Sequence, residues 1–267
     1  MNKGLIIIKI GGSIVSYKDS ASPKAKTTVI KRLSREVRLI LEKKKYHLIV
    51  VHGVGSFGHP SAKKHNLVNG MFTDEQKLGY CLTENDELNL HNQIISSLLK
   101  FNVPAIGLPP RSFIKTNAKN FSGFNLSIIK GFLNQGLVPV LFGDIVFDYK
   151  QGCASVSGDL ILPYLARKLH AKQAIFLSDV DGVFDSNPKQ NSHAKLISNI
   201  NDENLEQVMK GLTSSNKYDV SGEMRGKVLK IKSQSVGIPI YIINGLKPKA
   251  LQKVIDGKVR GTQLIFR

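Results

Sequence analysis

The 267-residue chain contains no tryptophan and two cysteines, and only 7% of its residues are aromatic. Cys81 and Cys153 are far apart and form no Cys-x-x-Cys pattern, which argues against a disulfide scaffold and against a cysteine-ligated zinc site. No apolar run approaches the roughly 18 residues that cross a bilayer. We therefore expect a cytoplasmic protein with no membrane partner.

Acidic residues are also scarce: 20 Asp and Glu stand against 38 Lys and Arg, which gives a net charge of +18. Such a charge suits nucleic acids, acidic membrane surfaces or small anions such as nucleotides. The lysines are scattered, however, and no basic motif is interleaved with aromatic residues as in single-strand binders. We expect a lysine-rich solvated surface and no nucleic-acid partner.

Continuous apolar runs rich in Ile and Val recur along the chain and alternate with segments of helical period. The runs are 5–10, 47–51, 103–108, 138–142, 173–177 and 238–243, and the helical segments are 29–44, 84–100, 126–135, 160–170, 204–210 and 226–236. Strands of this kind are covered on both faces, as in a parallel sheet. The alternation predicts an α/β fold with an open sheet and right-handed crossovers.

The predicted strands end in glycine-rich or acidic turns. These turns are Gly11-Gly12-Ser13, the segment 52–59 (HGVGSFGH), Gly143-Asp144 and the segment 178–182 (SDVDG). Ligands of open α/β sheets bind beyond the carboxyl ends of the strands. The four turns therefore predict one composite binding site.

The segment Gly53–Gly58 matches the Gly-x-Gly-x-x-Gly fingerprint of dinucleotide-binding proteins, and its outer glycines have Walker A spacing. His59 and Pro60 replace the lysine and hydroxyl residue that a Walker A loop requires. A Rossmann oxidoreductase needs an acidic residue at the end of the next strand, about 20 residues onward. Asp74 and Glu75 lie at roughly that distance, but in a polar segment with no apolar strand before them. A glycine-lined phosphate loop is the broader prediction, and the oxidoreductase remains an alternative.

Two further positions have competing interpretations. Lys9, inside the first strand, either reaches water with its stem buried or points its ammonium into an anion site beside Gly11-Gly12. The turn at Asp179 either contacts a nucleotide or is an ordinary Asx turn. Calcium does not suit that turn, because Leu177 occupies the first ligand position of an EF-hand loop. The glycines beside Lys9 favour the anion site.

In order along the chain, several motifs resemble the amino acid kinase superfamily, and within it the kinases that act on isopentenyl phosphate. The superfamily motifs are Lys9–Ser13, Gly143-Asp144, Ser157-Gly158-Asp159, the 178–182 turn and Gly261-Thr262, and the subfamily motif is the 52–59 loop that ends at His59. The resemblance implies a three-layer αβα sandwich around an open, mainly parallel sheet. It further implies transfer of the ATP γ-phosphoryl group to isopentenyl phosphate, with Mg²⁺ accompanying ATP.

The resemblance also assigns roles to residues. The catalytic residues would be Lys9, Lys18, His59 and Asp159. The acceptor-binding residues would be Val54, Gly55, His59 and Gly158. The ATP-binding residues would be Lys9, Gly11, Gly12, Ser13, Gly55, Asp179, Gly222 and Lys227. It implies a single kinase domain over 1–267, with the acceptor bound by an N-terminal lobe (1–165) and ATP by a C-terminal lobe (166–267). Relatives are commonly homodimers, and no protein ligands to a metal are expected.

Two residues depart from the family pattern. Val54 stands where a small residue is usual, so its side chain is expected to crowd the acceptor pocket. Glu223 stands near the expected ATP phosphates and would repel them unless its carboxylate points away. An apolar stripe lies on and just before the predicted helix 84–100, and it either forms a slot for the acceptor tail or simply faces the core. Its residues are Phe72, Tyr80, Leu88, Ile95, Leu98 and Leu99. The rival functions are a fosfomycin-type kinase, the Rossmann oxidoreductase and a non-catalytic nucleotide-binding regulator.

Overall fold

An eight-stranded sheet runs through the molecule, with helices on both faces. The computed structural model describes residues 3–17, 22–188, 190–212, 220–234 and 237–267, without the side chains of 220–223. The α-helices in these ranges are α1 (Gly12–Val15), α2 (Thr27–Glu42), α3 (His59–Lys64), α4 (Asp74–Lys100), α5 (Leu126–Asn134), α6 (Gly158–Lys168), α7 (Leu205–Gly211), α8 (Val220–Gln234) and α9 (Ala250–Ile255).

The strands form one large sheet and two small ones. They are β1 (Gly4–Ile10), β2 (Tyr46–His52), β3 (Ala105–Gly107), β4 (Ile114–Asn117), β5 (Asn120–Phe124), β6 (Val138–Phe142), β7 (Asp144–Asp148), β8 (Gly152–Val156), β9 (Gln173–Ser178), β10 (Val183–Phe184), β11 (Leu196–Ile197), β12 (Asn199–Ile200), β13 (Ile240–Asn244) and β14 (Gly261–Leu264). The large sheet has the order β12-β14-β13-β9-β1-β2-β6-β3. Its pairs are parallel except β13–β14. The predicted mainly parallel sheet is confirmed.

Alternation along β1 divides the core into two layers. Ile6, Ile8 and Ile10 face the layer formed with α2 and α4, whereas Ile7 faces the layer formed with α6 and α8. Lys9 lies on the same side as Ile7, since side chains two positions apart share a face. The strand register therefore directs Lys9 towards α6 and α8, and the two helical layers confirm the αβα sandwich.

A four-stranded sheet, in the order β5-β4-β7-β8, was not predicted from the sequence. Its turns are held by the buried carboxylate of Asp148. This carboxylate accepts hydrogen bonds from Thr116 Oγ1 at 2.8 Å and from the amides of Ala118, Lys119, Lys150 and Gln151 at 2.8–3.2 Å. One side chain thus joins the β4–β5 turn to the β7–β8 turn.

Helix α4 begins ten residues earlier than predicted. Thr73 Oγ1 accepts from the amide of Gln76, whose side chain accepts in return from the amide of Thr73, which is a capping box. Asp74 and Glu75 therefore lie in the first turn of a helix. Because neither follows a strand, the acidic residue that the Rossmann alternative required is not provided there.

Among the helices within the described ranges, none combines the length and apolarity that a membrane crossing requires.

Candidate active site

Two glycine turns meet at the carboxyl ends of β1 and β2. A Cβ on Gly12 would lie 2.8 Å from the Gly55 nitrogen, and a Cβ on Gly53 would lie 2.6 Å from the Gly12 nitrogen. Gly55 also has a φ of +50°, which favours glycine. Ser16 Oγ joins the turns, accepting from the Ser56 amide and donating to the Gly12 carbonyl, both at 3.0 Å. A side chain at Gly12 or Gly53 would therefore prevent the two turns from packing this closely.

A cavity of about 520 Å³ opens above these turns. Its walls come from all four strand-end segments that were expected to form one site. The expected residues that line it are Lys9, Gly11, Gly12, Ser13, Val54, Gly55, His59, Gly158, Asp159, Asp179 and Lys227. Lys18 lies outside the described residues, as does the side chain of Glu223, and Gly222 is described only as part of the first turn of α8. The roles of all these residues stay predictions.

A carboxylate between two lysines forms the centre of the cavity. Asp159 Oδ1 lies 2.7 Å from Nζ of Lys9, and Asp159 Oδ2 lies 2.7 Å from Nζ of Lys227. Both ammonium groups also lie over the Phe176 ring, at 5.9 and 5.2 Å from its centroid. These three charged groups leave one positive charge in excess, in a place largely shielded from water. An anion is the ligand that such a place favours.

The ionisation of Asp159 is fixed by these neighbours. Burial alone would raise the pKa of Asp159, but the ammonium groups of Lys9 and Lys227 outweigh it and hold that pKa well below its usual range. Asp159 also lies in the first turn of α6, where the helix dipole favours a negative charge. It therefore stays a carboxylate and can fix both lysines. A Cβ on the preceding Gly158 would lie 3.4 Å from the Lys9 stem.

The inner face of α4 holds the glycine loop along its length. His91 Nδ1 shares a hydrogen bond of 3.0 Å with Nε2 of His52, and Thr83 Oγ1 shares one of 2.8 Å with Ser61 Oγ. Between these pairs, a Cβ on Gly58 would lie 2.5 Å from Oε1 of Glu87. The segment from His52 to Ser61 thus runs antiparallel to α4 and contacts it at three successive levels.

Both histidines of the first pair are structural. Burial lowers the pKa of His52 to about 3 and that of His91 to about 4, and the closeness of His91 contributes to the shift of His52. Phe142 stacks on the His52 ring at 5.4 Å. The neutral pair fixes the end of β2 just before the glycine loop begins, in agreement with the interpretation of His52 as a structural histidine.

His59 stands at the other end of that loop, as the first residue of α3, and is exposed in the cavity. Val54 is buried in the cavity wall, with Cγ2 2.5 Å from the point where a Cβ on Gly58 would lie. Within the described part of the chain, its amide N–H donates no hydrogen bond. The loop therefore presents an imidazole and a backbone donor beside the two lysines.

Comparisons with known proteins agree with this geometry. The family profile described as "Amino acid kinase family" matches residues 4–244. The chain belongs to the amino acid kinase family. It is 35% identical to the isopentenyl phosphate kinase of Methanocaldococcus jannaschii, over 98% of this chain and 99% of that protein. It is 31% identical to that of Methanothermobacter thermautotrophicus, over 97% and 98%.

A solved structure gives the same result for the family fold. The structure titled "X-ray structures of isopentenyl phosphate kinase" superposes with a TM-score of 0.82 at 29% identity, covering 97% of this chain and 99% of that one. Glycine turns at strand ends, a strand lysine and a first-turn aspartate thus belong to an amino acid kinase scaffold present over nearly the whole chain.

None of the six stripe residues lines the cavity described above, which favours the core interpretation over a slot for the acceptor tail. Leu98 is buried in the core and Ile95 packs against it, whereas Phe72 and Leu99 are exposed on the surface. In this amino acid kinase the cavity wall beside the glycine loop is lined instead by Val54, Ala62, Ile145 and Glu87. Tyr80 differs from the four stripe residues just described, since it packs against Ile145 and Ala62 of the cavity wall and donates to the Ile145 carbonyl at 2.9 Å.

Among the ionisable residues that line the cavity in the described part of the chain, Glu87 is the one that the sequence analysis missed. A glutamate in the middle of a helix is normally solvated, so nothing in its immediate context marks it. The one available signal is the four-residue spacing of Thr83, Glu87 and His91, which places three polar side chains on one helix face.

Proposed function

We propose that this chain transfers the γ-phosphoryl group of ATP to isopentenyl phosphate, forming isopentenyl diphosphate and ADP. The observation that carries the proposal is the pair of lysine ammonium groups, Lys9 and Lys227, held 2.7 Å from one carboxylate at the centre of a single cavity. The cavity continues to His59 on one side and to Asp179 on the other. It therefore has room for two phosphorylated ligands with their phosphates side by side.

The chemistry requires positioning and charge neutralisation more than a base. An oxygen of the acceptor phosphate attacks the γ-phosphorus, the bond from that phosphorus to the β–γ bridging oxygen breaks, and ADP leaves with those electrons. The attacking oxygen already carries negative charge, so no proton has to be removed first. Lys9 and Lys227 compensate the charge that the two phosphates bring together, which is how phosphoryl transfer is mainly accelerated.

On the acceptor side, His59 donates a hydrogen bond to the terminal phosphate, next to the amides of Val54 and Gly55. A histidine donates to a phosphate oxygen in either protonation state. Lys18 is proposed, from the family pattern alone, to approach the transferring group. Asp159 does not touch the phosphates in this scheme; it holds Lys9 and Lys227 in place.

On the donor side, ATP lies along Gly11, Gly12 and Ser13 and reaches Asp179 and Gly222. Met224 lines both the main cavity and a shallow apolar depression with Val180, Phe184 and Pro188, which suits a nucleotide base. We propose that residues 1–165 bind the acceptor and residues 166–267 bind ATP, with the Gly11–Ser13 turn of the first part reaching the ATP phosphates.

Magnesium fits this site as a companion of ATP. Lysines occupy both oxygens of Asp159, and no cluster of three metal-binding side chains occurs among the residues that the structure describes. Mg²⁺ commonly keeps several waters and binds through substrate phosphates, and Asp179 lines the cavity within reach of a nucleotide. When bound, the ion would neutralise part of the phosphate charge.

We also propose that the protein works in the cytoplasm as a homodimer. Cys81 and Cys153 are free thiols, which agrees with a reducing compartment. Large apolar side chains are exposed near the start of α4, among them Leu78 and Leu82, which lie one turn apart. A second copy of the chain would cover them.

The direct test is ADP release from Mg-ATP with a panel of acceptors: isopentenyl phosphate, a phosphonate, an acidic amino acid and UMP. We expect release that depends on isopentenyl phosphate. Release with the amino acid or UMP alone would overturn the proposal, and tight binding of NADH without ATP binding would favour an oxidoreductase.

His59→Ala supplies the residue-level form of the same test. We expect turnover with isopentenyl phosphate to fall by about 10²-fold or more, because a donor to the moving charge is lost. His193→Ala, at an exposed position outside the cavity, is the matched control. Equal turnover of the two variants would remove His59 from the site.

A further inference from the structure

A buried carboxyl group lies in the acceptor wall of the cavity, where an isoprenoid tail would be expected to meet only apolar atoms. Glu87 is 3% exposed and lines the cavity with Val54, Ala62 and Ile145. Its Oε1 atom lies against the Gly58 backbone, 2.5 Å from where a Cβ would be. The glycine loop and this carboxyl group therefore form the same wall.

The surroundings of Glu87 contain more carboxyl groups than positive charges. Arg111 faces three of them: its Nη1 lies 2.5 Å from Oε1 of Glu84, and its Nη2 lies 2.7 Å from Oδ1 of Asp144 and 3.5 Å from Oε2 of Glu87. Asp144 additionally accepts from the Arg111 amide and Nε. Glu84 and Asp144 thus take the short contacts with Arg111, and Glu87 has the longest.

Because Arg111 lies closer to Glu84 and Asp144 than to Glu87, the protonated form of Glu87 is favoured. Burial raises the pKa of Glu87 well above its usual range, and the neighbouring carboxyl of Asp144 raises it further. A neutral carboxyl also avoids adding a negative charge beside two phosphates. Among the residues that the structure describes, Oε1 of Glu87 makes no hydrogen bond, so the group retains hydrogen-bonding capacity where it lines the cavity beside Gly58.

An apolar tail would leave that capacity unused, which costs binding free energy in a buried place. A tail that carries a hydroxyl at that depth would use it. Behind Glu87 lie Arg111 and Asp144 rather than further cavity, so the tail must also be short.

We propose that the acceptor site also takes short alkyl phosphates that carry a hydroxyl group on the tail, and that Glu87 selects them by a hydrogen bond to that hydroxyl. The inference rests on the proposed kinase function and extends its acceptor class. Glu87 contacts the tail and not the transferred phosphoryl group, so it is a specificity-determining residue.

The test compares two acceptors of nearly equal size: isopentenyl phosphate and its hydrated analogue, in which a tertiary hydroxyl replaces the alkene. The ratio of their kcat/KM values is measured for the wild type, Glu87→Leu and Glu87→Gln. Glu84→Gln is the matched control, since Glu84 also contacts Arg111 but does not line the cavity.

We expect Glu87→Leu to shift this ratio by about 10- to 100-fold towards isopentenyl phosphate, the range that a lost hydrogen bond and a gained apolar contact give. Glu87→Gln keeps a polar group and should shift the ratio less, and Glu84→Gln should leave it unchanged. A ratio for Glu87→Leu equal to that of the wild type, or an equal shift in Glu84→Gln, would overturn the proposal.

Failure of the kinase proposal is distinguishable from failure of this one. Calorimetric binding of the same two phosphates to each variant, without ATP, reports the preference even if neither is phosphorylated. Thermal unfolding of each variant shows whether it is folded, and Glu87→Gln, which preserves volume, keeps the comparison usable if the leucine variant does not fold. Binding of the hydrated analogue that is no weaker to Glu87→Leu than to the wild type would refute the role of Glu87.

Discussion

Asp159 illustrates how a single side chain sets the properties of the whole cavity. It comes from the first turn of α6, whereas its two partners come from β1 and α8, elements far apart in sequence. Lysine ammonium groups this close repel each other unless a carboxylate lies between them. Asp159 therefore makes it possible to concentrate positive charge at the centre of the cavity, where we propose that the two phosphates meet.

Replacement of this carboxylate should reduce catalysis more than folding. For Asp159→Asn we expect kcat to fall by about 10²- to 10³-fold, because Lys9 and Lys227 lose the group that positions them. Steady-state kinetics with ATP and isopentenyl phosphate give the measurement. The matched control is Asp181→Asn, since Asp181 also binds a lysine, Lys247 at 2.6 Å, but does not line the cavity. Comparable losses in both variants would contradict the assignment.

The residues of the cavity differ in how far the sequence reveals them. Lys9 and the Gly11-Gly12 turn were expected together because a strand lysine beside two glycines is unusual, and the structure places them in one cavity. Glu87 was not expected, because its surroundings, Arg111 and Asp144, become neighbours only in the folded chain. Residue type and spacing identify a strand-end turn but not a carboxyl group buried by distant segments.

At the scale of elements, the core strands were predictable and the small sheet was not. β6 matches its predicted range, and β1, β2 and β9 match within two residues at each end, because strands covered on both faces show as continuous apolar runs. The four-stranded sheet consists of short strands, joined partly through the Asp148 carboxylate. Hydrogen bonds that join one side chain to amides of its own turn and to amides of a turn about 30 residues earlier leave no periodic pattern in the sequence.

The Asp148 carboxylate should stabilise the small sheet in a pH-dependent way. Burial opposes the ionisation of Asp148, but hydrogen bonds from the Lys119 amide and the other donors outweigh it and lower the pKa to about 2. The unfolded chain has the ordinary pKa of about 3.9. The stabilisation is therefore complete above pH ~4 and is lost as the pH falls towards 2.

We expect Asp148→Asn to lower the free energy of unfolding by about 1–3 kcal/mol at pH 7, and by less near pH 2.5. Denaturant unfolding at the two pH values measures both quantities. Asp74→Asn, whose side chain is almost fully exposed and contacts only Lys77, serves as the control with little effect. A difference between Asp148→Asn and the wild type that does not shrink at low pH would contradict this interpretation.

For the whole molecule, the exposed apolar residues at the start of α4 are the feature that a single chain does not explain. Leu78 is 63% exposed and Leu82 is 48% exposed, on a protein whose net charge of +18 otherwise favours solvation. Exposed apolar patches of this kind commonly mark contacts with other proteins. A contact between two copies must also overcome repulsion between two positively charged chains.

We expect the wild type to sediment at twice the chain mass of 29.4 kDa, and Leu78→Glu with Leu82→Glu to sediment at the chain mass. Two glutamates at the contact would lose their hydration on dimer formation without gaining a positive partner, so the dimer would dissociate. Leu99→Glu, on the same helix and 51% exposed, is the control that should stay dimeric. A monomeric wild type at micromolar concentration would rule out the dimer.

The first turns of helix α4 have one face packed inside the molecule and one face exposed to solvent. Gly79 and Thr83 face His65 and Ser61, while their immediate neighbours Leu78 and Leu82 face outward. Because a helix moves as a rigid body, a small rotation or shift of α4 on its outer side also displaces the side chains on its inner side. Surface engineering of this stretch, for solubility or for attachment to a support, would therefore also disturb the contacts of α4 with Ser61 and His65.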